Sequence, residues 1–143
     1  MSLTKQISLF SLLLLLAAGL IFYITGNKTQ PESMIPVTVK VPKLSFKAAN
    51  GKILYDANCA ACHGANGAGT QSGPPFVHTI YNPGHHDDAA FYRAASQGVQ
   101  SHHWKFGNMP PRPDVTRAQI KAIVTYVREL QLANGITYKK HTM

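Results

Sequence analysis

Hydrophobic and polar positions divide the chain into three regions. Residues 7–24 read ISLFSLLLLLAAGLIFYI, and as a helix these uncharged positions would span about 27 Å, enough to cross a bilayer. Residues 26–43 contain three prolines, which deny a helix. We therefore predict a transmembrane signal anchor over residues 1–25, a proline-containing tether over residues 26–43, and one folded domain over residues 44–143.

The N-terminal apolar run has a second interpretation, a signal peptide that is removed after export. Lys5 supplies the positive charge that precedes such a signal, and the small residues at 17–19 offer a cleavage site. The chain stays apolar through residues 20–24, however, which is more typical of the second half of a membrane span. We favour a retained anchor. Lys5 before the span is balanced by Lys28 after it, so charge alone does not set its orientation.

Two shorter helices are predicted in the first part of the domain. The first covers residues 45–59, where apolar side chains recur along the segment. The second covers residues 89–97, with Asp87 or Asp88 as its N-cap and Gly98 directly after its last turn. Between them, a stretch rich in glycine and followed by two prolines excludes regular structure.

The last helix has the clearest signals. Thr116 and Gln119 form a capping box, and Asn134-Gly135 ends the helix. Apolar residues between these limits recur at helical spacing: Ile120, Ile123, Val124, Val127 and Leu130 or Gln131. No segment has a sustained strand pattern, so the domain is predicted to be all-α.

The size and charge of the chain limit what this domain does. Its 143 residues, less the anchor, leave about 100 for one small core, which a large buried cofactor would help to stabilise. The net charge is +8, with basic residues scattered along the chain and no Lys/Arg-rich run. Scattered charges and the absence of a recognisable binding motif argue against nucleic acid as the partner.

Residues 59–63 read Cys-Ala-Ala-Cys-His, the motif for covalent attachment of a c-type haem. Two thiols at this spacing, Cys59 and Cys62, add to the two vinyl groups of one porphyrin, and the imidazole of His63 reaches the iron. A thioredoxin-like dithiol would need a βαβ setting, which is missing, and a disulfide would be short and strained. A zinc site would need two further ligands; four histidines are available in principle: His85, His86, His102 and His103.

The second axial ligand of the iron must come from elsewhere in the chain. Of the four methionines, Met109 alone lies in a segment that would present it from a rigid loop. Gly107 permits a turn before it, and the two prolines that follow it have fixed φ angles. The alternative for Met109 is ordinary core packing. Rival ligands are the loop histidines, which we otherwise expect to be solvated: His78, His85, His86, His102 and His103.

The sequence resembles the class I monohaem cytochromes c over residues 46–132, on the haem motif and the Gly-Asn-Met-Pro-Pro loop around Met109. The resemblance implies a cytochrome c fold, in which helices surround one covalent haem c and the first and last helices cross. It places Gly51, Tyr55 and Tyr126 at that crossing, and it implies that the Pro74 carbonyl accepts a hydrogen bond from His63. It offers no role for the two histidine pairs.

This resemblance implies electron transfer rather than enzymatic catalysis. Our hypothesis is a one-electron carrier tethered to the cytoplasmic membrane by a single span, with its haem domain on the periplasmic side, serving respiratory or other redox complexes. One alternative is a fixed subunit of a larger oxidase or reductase; another is a haem-based sensor. Lys105 and Arg112 border the Met109 loop, so we expect redox partners with acidic docking surfaces.

Overall fold

The computed structural model describes residues 15–21 and 36–140 and divides the chain into two compact units, Met1–Ser33 and Met34–Met143. In the first unit, residues 15–21 are helical. No helix within the described residues is long and apolar enough to cross a membrane. Most of the predicted span over residues 7–24 lies outside the described residues.

The described part of the second unit, residues 36–140, contains four α-helices joined by loops. The helices are α1 (Phe46–Asn58), α2 (Ala60–His63), α3 (Asp88–Gln97) and α4 (Arg117–Ala133), with short 3-10 turns at Ala65–Gly67 and Thr79–Tyr81. Between residues 36 and 140 the extended pairing is limited to two isolated bridges. The all-α prediction for this domain is confirmed. The 3-10 turn at Ala65–Gly67 is a correction, because we predicted no regular structure in the glycine-rich stretch.

Each of the three helices predicted within the domain forms with boundaries close to those expected. The Ser45 hydroxyl caps α1 by accepting from the Ala48 amide, and the Asp87 carboxylate caps α3 by accepting from the Ala90 amide. At α4 both halves of the Thr116–Gln119 capping box are present. These caps satisfy amides that a helix leaves without internal partners, which is why local sequence marks the helix starts.

The centre of the domain is the crossing of α1 and α4. A Cβ on Gly51 would lie 2.0 Å from the carbonyl oxygen of Ala122, so only glycine permits this approach. One turn along, the rings of Tyr55 and Tyr126 pack with their centroids 5.4 Å apart, and both side chains are fully buried. The three positions that the resemblance placed at the crossing are confirmed.

One polar side chain, Gln131, is buried in the apolar face of α4 at 1% exposure. Its amide nitrogen donates to the carbonyl oxygens of Phe76 and Tyr81, at 2.9 and 3.1 Å, and its oxygen accepts from Arg128 at 2.7 Å. Because these groups satisfy the amide, its burial carries little cost. Gln131 thereby ties α4 to the loop that follows the haem motif.

The end of the predicted tether packs along the domain. The Val37 amide donates to the Ala68 carbonyl at 2.8 Å, and Val39 packs against the core. Lys40 and the Asn134 side chain exchange two hydrogen bonds, at 2.9 and 2.8 Å. Residues 36–40 are therefore part of the folded domain's surface.

Candidate haem site

The Cys-Ala-Ala-Cys-His motif occupies the turn at which α1 ends and α2 begins. Cys59 is the C-cap of α1, and its amide donates to the Tyr55 carbonyl at 2.8 Å. The His63 amide in turn donates to the Cys59 carbonyl at 2.9 Å. Cys59 is half-buried and Cys62 is exposed. Burial raises the pKa of the Cys59 thiol to about 11, against an opposing effect of the Arg112 guanidinium.

His63 is held in one orientation by the loop after the motif. It is 7% exposed, and its Nδ1 lies 2.9 Å from the Pro74 carbonyl oxygen. A carbonyl only accepts, so Nδ1 carries the proton and Nε2 keeps the lone pair that binds a metal. Burial lowers the pKa of His63, which favours this neutral ring, while the hydrogen bond to Pro74 acts in the opposite direction. The contact implied for Pro74 is confirmed.

Met109 lies in the connection between α3 and α4, half-buried and paired with Val99. The Met109 amide donates to the Val99 carbonyl and the Val99 amide donates to the Met109 carbonyl, each at 2.9 Å, which forms an antiparallel bridge. Gly98, with φ of +76°, lets the segment pass closely, since a Cβ there would lie 2.5 Å from the Met109 carbonyl oxygen. The Arg112 amide then donates to the Ala95 carbonyl at 2.7 Å. Backbone contacts thus hold the loop on both sides of the methionine.

The cytochrome c family model matches residues 48–131, more than half of the chain. The chain belongs to the cytochrome c family. Among solved structures, it is similar to the c-type cytochrome XoxG from Methylobacterium extorquens AM1, with a TM-score of 0.52 and 19% sequence identity. The match covers 69% of this chain and 61% of that one, and it supports the fold. No curated protein matches the chain.

As a cytochrome c, the protein is a haem electron-transfer protein that carries covalent haem c. The residues present fit that group: two thiols at the attachment spacing, followed by an imidazole whose Nε2 remains for iron.

Arg112 has a role in the cytochrome that the sequence did not reveal. Its guanidinium donates to the Asn58 carbonyl at the end of α1, beside Cys59, and to both carboxylate oxygens of Asp114, at 3.3 and 3.1 Å. Arg112 therefore ties the Met109 loop to the haem motif. We also expected it to border the docking surface, and that role stays a prediction. Lys105 remains exposed.

The loop histidines, which we expected to be separately solvated, gather in the structure. One ring nitrogen from each of His85, His86 and His103 lies within 4.8 Å of the others. His78 is engaged locally, accepting through Nδ1 from the Ile80 amide at 3.2 Å. No pattern in the sequence predicts this convergence, because the two histidine pairs are separated by α3.

Proposed function

We propose that this cytochrome is a membrane-tethered one-electron carrier in which His63 and Met109 are the two axial ligands of haem iron. The observation that carries the proposal is the His63–Pro74 hydrogen bond, which fixes the ring and leaves Nε2 for the metal. When bound, haem c supplies the one-electron couple, and the protein supplies burial, orientation and a docking surface.

Met109 is supported as the second ligand by the way its loop is held. Pairing with Val99 and the close approach at Gly98 restrict the backbone, so the thioether is presented without a large entropy cost. A thioether ligand raises the reduction potential, and with both axial positions filled no site is left for oxygen or peroxide. This arrangement favours a carrier over an oxygen-activating enzyme or a gas sensor.

The proposed location follows from the attachment chemistry and the N-terminal sequence. Thioether formation at a Cys-x-x-Cys-His motif takes place outside the cytoplasm, which favours a periplasmic haem domain. The apolar run of residues 7–24 would hold it at the cytoplasmic membrane by a single span. Fractionation tests this part: the full chain should stay with membranes after a high-salt wash, and a chain in which a cleavable export signal replaces residues 1–33 should be released.

Replacement of Met109 by Ala tests the proposed ligation. We expect the oxidised variant to lose the far-red absorption band of sulfur-to-iron coordination, the reduction potential to fall, and the reduced protein to bind carbon monoxide. Met143→Ala, at the C-terminus, is the matched control and should retain the band and exclude carbon monoxide. Persistence of the band in Met109→Ala would assign the ligand to another residue.

A further inference from the structure

Two loops outside the haem site converge on a histidine cluster, defined here as His85, His86 and His103. His85 and His86 precede α3, and His103 lies in the segment that leads to Met109. The potential ligand atoms of all three lie within 4.8 Å of one another. The tertiary fold thus supplies a third imidazole to a pair that is adjacent in sequence.

One pair within the cluster has the separation of two ligands around one metal ion. The Nε2 atoms of His85 and His103 are 3.2 Å apart. Two imidazole nitrogens bound tetrahedrally to zinc, at about 2.0–2.1 Å each, lie about 3.3 Å from one another. The distance between these two nitrogens is therefore the distance expected for two ligands of one ion.

His86 is held in the tautomer that metal binding requires. Its Nδ1 lies 2.8 Å from the Ile80 carbonyl oxygen, so Nδ1 donates and Nε2 keeps its lone pair. Its backbone carbonyl accepts from Arg128 at 2.6 Å, and Arg128 also bonds Asp88 at 2.9 Å. Carbonyl contacts of this kind orient metal-binding imidazoles in proteins.

The neighbouring cavity leaves space for a ligand that the protein does not provide. Its volume is about 420 Å³, and His85, His103, Lys139 and Lys140 are among the residues that line it. Three protein ligands with an open fourth position are a common zinc arrangement. Lys139 and Lys140 bring positive charge to this side of the domain, which opposes binding of a bare cation and favours an anionic fourth ligand such as hydroxide or chloride.

We propose that His85, His86 and His103 bind one divalent transition-metal ion, with zinc as the ion that fits the spacing. Zinc accepts three neutral imidazoles readily, and the site would be separate from the haem ligands. Because His103 lies six residues before Met109, a bound ion would tie the Met109 loop to the loop before α3. Zinc is therefore expected to stabilise the folded protein as well as to bind it.

Calorimetric titration of the full-length holoprotein with zinc chloride tests the proposal, in detergent and without a polyhistidine tag. We expect one site of submicromolar affinity. His103→Ala and His85→Ala should each weaken it by about 100-fold or more. His102→Ala is the matched control, because His102 Nδ1 bonds the Gln100 carbonyl at 2.8 Å and His102 is not one of the three ligands. That variant should bind zinc within about threefold of the parent.

A thermal readout separates metal binding from damage to the fold. Zinc should raise the melting temperature of the parent and of His102→Ala, and leave that of His103→Ala unchanged. The haem spectrum of each variant should match the parent, which shows that the domain is intact. Absence of a submicromolar site, or equal weakening by His102→Ala and His103→Ala, would overturn the proposal and leave the 3.2 Å contact as an imidazole–imidazole hydrogen bond.

Discussion

At the residue scale, the close packing of α1 against α4 depends on the absence of a side chain at Gly51. Its Cα lies against the Ala122 backbone, and the obstacle to a side chain is a carbonyl oxygen that cannot rotate away. An Ala at an ordinary helical position would gain about 1 kcal/mol over Gly in helix propensity. The clash outweighs this gain, because overpacking typically costs about 1–3 kcal/mol and here also displaces α4.

We therefore expect Gly51→Ala to lower the free energy of unfolding of the holoprotein by about 2 kcal/mol. Asn50→Ala, at the exposed neighbouring position, is the control and should leave stability unchanged or slightly raised. Denaturant titration followed by circular dichroism measures both. A Gly51→Ala variant as stable as the parent would show that α1 and α4 can separate at little cost.

At the element scale, the connection between α3 and α4 depends on two glycines with different surroundings. Gly98 and Gly107 both have positive φ, at +76° and +86°. An added Cβ would strike the Met109 carbonyl oxygen at Gly98 but would meet nothing within 4 Å at Gly107. The two positions therefore differ in whether an added side chain would collide with the Met109 segment.

We expect Gly98→Ala to push the Met109 segment away from α3 and to weaken the far-red band of the oxidised protein. Gly107→Ala carries the strain of a left-handed residue, about 1 kcal/mol, without the collision, and should keep the band. Absorption spectra of the two oxidised variants give the comparison. Equal loss of the band in both would mean that strain alone displaces the loop.

At the scale of the whole molecule, net positive charge favours an acidic redox partner, and this docking surface remains a proposal. Lys105 is the exposed charge beside the Met109 loop, whereas Arg112 is bonded to Asp114 and to α1. Reversing Arg112 would therefore disturb the site, and Lys105 is the residue to change. Long-range attraction raises the association rate without altering the iron ligands.

Lys105→Glu should slow reduction or oxidation by the physiological partner and flatten its dependence on ionic strength, since screening at about 0.15 M salt acts beyond roughly 8 Å. Lys121→Glu, the same charge change on the exposed side of α4, should have a smaller effect. Stopped-flow rates over a salt series measure both, with visible spectra as the check on the haem site. Equal slowing by the two variants would place docking elsewhere.

Features that depend only on residues close together in the chain could be predicted from the sequence alone. The haem motif needs five consecutive residues, and the caps at Asp87 and Thr116 act on amides within three positions. Such contacts form wherever the chain adopts a helix, so their chemistry is visible without a fold. The family resemblance also predicted the helix crossing at Gly51, which no local sequence pattern indicates.

Only the tertiary structure decided the contacts between residues far apart in the chain. Gln131 occupies an apolar helix position because carbonyls about fifty residues away satisfy its amide, and Arg112 reaches Asn58 across a similar distance. The histidine cluster depends on two loops on either side of α3 being folded together. Partners of this kind leave no periodicity in the sequence, since the free energy of each contact depends on packing that the whole domain creates.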